Sequence, residues 1–319
     1  MTLTLPTPAS PLKIGTRGSP LALAQAYETR TRLMAAFDLP EAAFEVVVIK
    51  TTGDDMALIK TDTPLKTLGG KGLFTKEIEQ SMLEGGIDIA VHSTKDMPVA
   101  QPEGLVLDTF LPREDVRDAF VSLKYQSLQD LPEGAVVGSS SLRRRAQLLN
   151  RFPHLKVVEF RGNVQTRLKK LEDGVADATF LAAAGLNRLG MADAARSQVA
   201  PEDMLPAIAQ GTIGIERREN DDRAGEMLAV LHHAETGQRL AAERAFLAAL
   251  DGSCETPIAG LATLEDGQLR LRGEVLRPDG SEVIRDERFC AISDGAALGK
   301  AMAKDMLAQA GPDFFSWRG

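Results

Sequence analysis

Apolar runs that end in turns rich in serine, glycine or asparagine recur along this chain. In the first third they predict three strands, at Leu12–Gly15, Phe44–Lys50 and Ile87–Val91. A helix is predicted after Pro20, with Ser19 as its N-cap, and a second helix from about Phe74 to Leu83. Strands that alternate with helices in this way predict an α/β lobe.

The middle of the chain repeats this pattern. A strand at Ala135–Gly138 precedes a helix at Leu142–Asn150, and a strand at Val157–Arg161 precedes a helix that begins at Val164. AVVGSSSLRRRAQLL matches LKIGTRGSPLALAQA as strand, serine-capped turn and helix. DGVADATFLAAAGLNRLG matches EGGIDIAVHSTKDMP as a helix end, glycine and then an apolar strand. Two such lobes with polar groups at their strand ends predict a hinged, two-lobe binding cleft.

The last third predicts a different architecture. Pro206–Glu216 is strand-like and is expected to return to the first lobe, and Asp221–Leu250 is expected to be helical. Three strands separated by EDG and PDG turns follow, at Ile258–Leu264, Gln268–Leu276 and Glu282–Phe289. The sequence therefore predicts three domains: residues 12–111 with 206–229, residues 112–205, and a small α+β domain with an antiparallel sheet at residues 230–319.

Composition excludes several classes of protein. No window of about 18 residues is continuously apolar, so we expect no membrane span. Only 5% of residues are aromatic and the net charge is −8, which argues against nucleic-acid binding. The two cysteines and four histidines have no metal-binding or redox spacing, and the first residues lack a secretory signal pattern. We therefore expect a cytoplasmic protein without a metal. We also expect it to be a monomer.

One segment has a charge opposite to that of the chain. Residues 138–170 hold nine lysines and arginines against one acid, Glu159. The arginines cluster at strand-to-helix turns, where backbone N–H groups and helix dipoles also attract anions. This arrangement favours an anion site, with a solvated basic helix face as the alternative.

Other candidate residues lie at strand ends and on loops. Arg17 follows the first strand, and Lys95 and Asp96 follow the third as a candidate acid–base pair, with a surface arginine and a structural ion pair as the alternatives. Lys71 and Phe74 lie in a glycine-rich segment that is either a lid or a plain loop. Cys254 lies on a loop, where a nucleophile or attachment role competes with an inert thiol.

Together these residues form motifs that resemble those of the porphobilinogen deaminase (hydroxymethylbilane synthase) family. The likeness runs from about Lys13 through at least Gly280. The motifs are IGTRGSPLALAQA, GGKGLFTKEIE, DIAVHSTKDMP, REDVRDAF, GSSSLRRRAQL, FRGNVQTRL, AAAGLNRLG, AIAQGTIGIE and DGSCETPIAG.

The resemblance implies a fold, a cofactor and a reaction. Two lobes similar to a periplasmic binding protein would precede the C-terminal domain. A dipyrromethane cofactor would be joined by a thioether to Cys254. Four porphobilinogen molecules would be condensed head to tail on it with release of ammonia, and hydrolysis would free the linear tetrapyrrole hydroxymethylbilane. The partners would be porphobilinogen and the growing polypyrrole chain.

The resemblance also implies roles for individual residues. Asp96 would be catalytic, stabilising positive charge through pyrrole N–H groups and assisting proton transfer, with Lys95 beside it. Lys71 and Phe74 would belong to the active-site loop. Cofactor and substrate carboxylates would be held mainly by arginines and turn residues, which are Arg17, Ser19, Ser141, Arg143, Arg144, Arg161, Gly162, Arg167, Arg188 and Gln210. A non-catalytic two-lobe receptor for a small polycarboxylate is the alternative function.

Overall fold

The computed structural model describes residues 3–54, 75–250, 256–311 and 313–316. The chain divides into two compact units. The first consists of Met1–Glu114 with Thr212–Gly237, and the second of Asp115–Gly211 with Gln238–Gly319. The chain therefore leaves the first unit after residue 114, returns to it at 212 and leaves it again after 237.

Thirteen strands and eight helices lie within the described ranges. The strands are β1 (Leu12–Thr16), β2 (Phe44–Val48), β3 (Ile89–Ser93), β4 (Leu105–Phe110), β5 (Asp118–Ser122), β6 (Val136–Gly138), β7 (Lys156–Val158), β8 (Ala178–Ala182), β9 (Ser197–Gln198), β10 (Ile213–Arg218), β11 (Ile258–Glu265), β12 (Gln268–Leu276) and β13 (Val283–Ala291). The helices are α1 (Pro20–Phe37), α2 (Lys76–Leu83), α3 (Leu142–Arg151), α4 (Val164–Glu172), α5 (Ala183–Arg188), α6 (Asp222–Ala229), α7 (Ala234–Ala249) and α8 (Gly295–Gln309).

The sheet of the first unit has the order β2-β1-β3-β10-β4. Strands β1, β2 and β3 are parallel, whereas β10 is antiparallel to both of its neighbours. Ile14, Ile89 and Ile215 are completely or almost completely buried in the core on one side of this sheet. A smaller core on the other side includes Ile78 and Met82 of α2. Since β1 and β3 are adjacent and parallel, the residues that follow them meet at one edge of the sheet.

The second unit contains a similar sheet with the order β7-β6-β8-β5-β9. Strand β6 is parallel to β7 and β8, and β5 is antiparallel to β8 and β9. Phe120 and Phe180 pack edge to face in its core, 5.7 Å between ring centroids. The two sheets share one plan, in which a parallel set is completed by an antiparallel strand.

The rest of the second unit is the antiparallel sheet β11-β12-β13 with α7 and α8. Phe246 of α7 is fully buried. Gly299 of α8 lies so close to the backbone of Ala242 that an added Cβ would overlap its carbonyl oxygen, so only glycine permits this helix contact. The structure confirms the predicted fold class: an α/β chain with two sheet-rich lobes and a small C-terminal antiparallel sheet.

Three predicted elements differ in the structure. The helix expected over Asp221–Leu250 is two helices, because residues 230–233 leave the helical path. The strand expected over Pro206–Glu216 begins only at Ile213, and Ala209 before it has a left-handed φ of 61°. Helix α8 was not predicted at all. The division into three domains, the hinge and the cleft stay predictions.

Candidate active site

The first group of candidate residues surrounds a small cavity in the first unit. Arg17 follows β1, and Asp96 lies in the 3-10 turn Thr94–Asp96 that follows β3. The cavity has a volume of about 70 Å³, and its lining includes Arg17, Ser19, Gln25, His92, Ser93 and Asp96. Two residues that are far apart in the sequence thus line one space, as the parallel strands predict.

The beginning of α1 is fixed by its own side chains. The hydroxyl of Ser19 accepts a hydrogen bond from the backbone N–H of Ala22 at 3.3 Å, which confirms the predicted N-cap. Gln25, one turn further on, is buried and exchanges hydrogen bonds with the Ser93 hydroxyl at 2.8 and 3.1 Å. These contacts join α1 to the end of β3 beside the cavity.

The two residues of the candidate acid–base pair differ in exposure. Asp96 is exposed, whereas Lys95 is partly buried. An exposed carboxylate at a cavity wall accepts hydrogen bonds from N–H groups and stabilises positive charge next to it. The pair therefore offers one anionic and one cationic group at the end of one strand.

The second group of candidates begins at the turn into α3. The hydroxyl of Ser141 caps this helix by accepting from the backbone N–H of Arg144 at 3.4 Å. Arg143 and Arg144 are both buried and both donate to the carboxylate of Asp118, at 2.8 and 2.7 Å. They also donate to the backbone oxygens of Leu205 and Phe180 respectively. In the described structure these two guanidinium groups bind the protein itself.

Asp118 is fully buried and holds this network together. Burial by itself would raise the pKa of its carboxyl group. The charges of Arg143 and Arg144 and their hydrogen bonds outweigh that effect and hold the pKa of Asp118 far below its usual range. A buried carboxylate with two arginine partners is a rigid support for the beginning of α3.

Gln210 and Arg188 lie further along the second unit. Gln210 is fully buried and donates through Nε2 to Asp118 Oδ1 at 3.0 Å and to the backbone oxygen of Val116 at 2.8 Å. Arg188, at the end of α5, donates to the backbone oxygen of Gly211 at 3.0 Å. The roles of Gln210 and Arg188 in substrate binding stay predictions.

A third group lies at the turn into α4. Asn163 caps this helix, and Gly162 before it has φ 121°, a conformation that favours glycine. Arg167 donates through Nε to the backbone oxygen of Gly162 at 2.9 Å and makes no ion pair within the described ranges. Burial and the neighbouring charges of Arg144 and Arg161 lower the pKa of Arg167 to about 10. The proximity of the cationic side chains of Arg144, Arg161 and Arg167 indicates an anion-binding site.

The arginines of the second unit fit the dipyrromethane cofactor implied by the motifs. Its acetate and propionate side chains are carboxylates, which arginine forks and helix N-termini bind well. Arg167, whose positive charge is disfavoured by its surroundings, would gain most from such a partner. Three of the predicted residues, Lys71, Phe74 and Cys254, lie outside the described residues.

Among the described residues, no group of three or more histidine, cysteine, aspartate or glutamate side chains could hold a metal ion. Within the same ranges, no helix has the length and apolar character that a membrane crossing requires.

Sequence reasoning missed Asp118 and Gln25. Asp118 stands in the motif REDVRDAF, but no role was assigned to it. The available signal was the apolar run AFV directly after it, because an aspartate at the beginning of a buried strand needs a cationic partner. Gln25 stands in the motif IGTRGSPLALAQA, and no role was assigned to it either.

Solved structures that match this chain have low sequence identity to it and low TM-scores. A periplasmic substrate-binding protein of an ABC transporter from Coxiella burnetii has 15% identity and a TM-score of 0.40, covering 73% of this chain and 96% of that one. A nutrient-binding protein from Burkholderia cenocepacia bound to methionine has 16% identity and a TM-score of 0.40, covering 74% and 94%.

Family models and curated proteins match this chain at much higher sequence similarity. Residues 12–226 match the family model of the porphobilinogen deaminase dipyrromethane cofactor-binding domain, and residues 238–308 match that of the C-terminal domain. Porphobilinogen deaminase from Paracoccus denitrificans is 64% identical over 313 residues, 98% of this chain and 99% of the relative. The chloroplastic enzyme of Pisum sativum is 53% identical over 311 residues, 96% of this chain and 83% of the relative. The chain therefore belongs to the porphobilinogen deaminase family.

Proposed function

We propose that this chain is a hydroxymethylbilane synthase, a transferase that condenses four porphobilinogen molecules head to tail and releases ammonia at each step. Hydrolysis then frees the linear tetrapyrrole. The observation that carries this proposal is the shared cavity of Arg17, Ser19 and Asp96, in which a cation and a hydroxyl face a carboxylate. A carboxylate-bearing pyrrole needs the cation and the hydroxyl, and the positive charge that forms during coupling needs the carboxylate.

Different residues of the cavity would bind the substrate and stabilise the charge that forms during the reaction. Arg17 and Ser19 would bind a carboxylate of porphobilinogen and so fix its ring. Asp96 would accept hydrogen bonds from the pyrrole N–H and stabilise the positive charge that develops when ammonia leaves. Lys95 would bind a carboxylate of the cofactor.

The arginines of the second unit would bind the remaining carboxylates. Arg161 directly precedes Gly162, and Arg167 donates to the backbone oxygen of Gly162 near the N-terminus of α4, where backbone N–H groups add to their charge. Arg143 and Arg144 would contribute from α3, with Asp118 keeping them in place. Arg188 and Gln210 would complete the set. When bound, the dipyrromethane supplies the pyrrole on which the chain grows.

Attachment of the cofactor to Cys254 is tested by the intact mass of the purified protein and by mapping of the Cys254 peptide. We expect a two-pyrrole adduct on that peptide, its loss in Cys254→Ala and its retention in the matched variant Cys290→Ala. Porphobilinogen should then add further pyrrole masses to the wild type. A Cys254 that is unmodified, and that gains no mass with porphobilinogen, would overturn the proposal.

We also propose that the protein acts as a cytoplasmic monomer without nucleic-acid partners. A thiol that must stay reduced until it is alkylated suits a reducing compartment. The acidic net charge and the low aromatic content support the absence of nucleic-acid binding. Light scattering tests the mass, and titration of RNA at low salt tests the binding.

A further inference from the structure

His92 and Glu216 form a buried pair beside the cavity of Asp96. His92 Nε2 lies 3.2 Å from Glu216 Oε2, and their side chains are only 5% and 0% exposed. In the register of β3 and β10, His92 faces Gly214 and Ala90 faces Glu216, so the two side chains are diagonal neighbours on one face. Gly214 has no side chain, and an added Cβ there would lie 2.8 Å from Thr94 Oγ1 and 2.9 Å from Leu107 Cδ1, so the pair lies in a tightly packed part of the sheet.

Glu79, Asp96 and Arg17 are the other charged groups around this pair. Glu79 reaches it from α2, and burial, followed by the charge of Glu216, raises the pKa of Glu79 in spite of the Thr75 hydroxyl and His92. Asp96 and Arg17 line the same cavity as the His92 ring. The imidazole therefore has carboxylates on the strand, helix and turn around it, and these can stabilise positive charge on the ring.

The contact with Glu216 involves one nitrogen of the His92 ring. In the tautomer in which Nε2–H donates to the Glu216 carboxylate, Nδ1 holds the lone pair. Nδ1 has no hydrogen-bond partner among the described residues. A histidine oriented by a carboxylate, in the wall of a cavity that Asp96 and Arg17 also line, is the arrangement of a general base.

We propose that His92 is the general base of the coupling step and that Glu216 is its positioning residue. The inference rests on the proposed function. When two substrate-derived rings are joined, the C–N bond of one porphobilinogen breaks and ammonia leaves. Its methylene carbon bonds to the α-carbon of the other ring, and that carbon then loses its proton. His92 Nδ1 accepts this proton, Glu216 stabilises the imidazolium, and the released ammonia takes the proton away as ammonium.

This role separates two tasks that Asp96 would otherwise perform alone. Asp96 must stay negative to stabilise the cationic ring, and it loses that charge if it takes up the proton. Imidazole, whose ordinary pKa is nearest to neutrality, is a better acceptor for rapid uptake and release of a proton. The pair thus lets Asp96 remain ionised through four successive couplings.

The first test uses the cofactor-loaded enzyme and porphobilinogen deuterated at its α-carbon. We expect His92→Gln to lower turnover about 10²-fold and to increase the deuterium isotope effect, because proton removal becomes the slow step. His154→Gln, the same change outside the cavity, should alter neither. A His92→Gln enzyme with wild-type turnover, or with slower turnover and an unchanged isotope effect, overturns the proposal.

The second test does not depend on activity. Nitrogen-15 NMR of histidine-labelled protein should show His92 protonated at Nε2 and unprotonated at Nδ1, and Glu216→Gln should abolish this preference. A wild-type His92 with its hydrogen on Nδ1 overturns the proposal, even if His92→Gln does not fold. Failure of the proposed function is distinguishable, since the wild type would then make no tetrapyrrole from porphobilinogen.

Discussion

Arg144 donates two hydrogen bonds to one oxygen of the Asp118 carboxylate, from Nη2 at 2.7 Å and from Nε at 3.2 Å. The other oxygen accepts from Arg143 at 2.8 Å. Because all three side chains are buried, the charges depend on one another. Arg143 and Arg144, which the motifs assign to carboxylate binding, therefore also stabilise the fold. The effects of replacing them must be compared with the effects of replacing an arginine that has no buried carboxylate partner.

Arg144→Leu should lower the free energy of unfolding by about 3 kcal/mol, because it leaves part of the buried Asp118 charge uncompensated. Arg167→Leu should change it by less than about 1 kcal/mol, since Arg167 makes no ion pair among the described residues and is repelled by its neighbours. Urea unfolding of both variants, with the cofactor mass measured in each, checks this. Equal losses of unfolding free energy in the two variants would contradict the structural role of Arg144.

Asp118 should make the free energy of unfolding depend on pH in the acidic range. Its pKa in the folded state is held far below the ordinary value of about 4, so its contribution is complete only above about pH 5 and is lost progressively as the pH falls below that. The free energy of unfolding should therefore fall between pH 5 and pH 3 more steeply in the wild type than in Asp118→Asn. Identical slopes in urea titrations over this range would rule out the ionised pair.

Asp96→Asn should leave a folded, cofactor-loaded protein with almost no turnover. The residue is exposed, so its substitution should change the unfolding free energy by no more than about 0.5 kcal/mol. Asp173→Asn, an exposed carboxylate at the C-terminus of α4, is the control and should keep full activity. Turnover of porphobilinogen and intact mass are the measurements, and near-normal turnover in Asp96→Asn would remove it from the mechanism.

Gly138→Ala should destabilise the turn into α3. An added Cβ would overlap the ring of Phe160, which is fully buried and cannot move freely. We expect a loss of about 1–3 kcal/mol, as for other overpacked cores. Gly311→Ala, where the new Cβ meets nothing within 4 Å, is the matched control. Thermal unfolding of the two variants distinguishes a steric effect from a general effect of replacing glycine.

Local features were predictable from the sequence, and long-range partners were not. The cap of α1 by Ser19 and the hairpin between β11 and β12 depend on residues within a few positions of one another. The Asp118 network joins residues 25 to 92 positions apart, and no local pattern encodes such pairs. Helix α8 was missed because its apolar face is made largely of alanine, glycine and methionine, which give weak periodicity.

The order of the first sheet has a consequence for synthesis of the chain on the ribosome. Strand β4 joins that sheet only through β10, which is made about 100 residues later. At about 5–20 residues per second, β4 waits about 5–20 s for its neighbour. During that interval β3 and β4 both present unpaired backbone edges, to which other nascent chains can add. The first unit is therefore the part of this protein for which a chaperone matters most during translation.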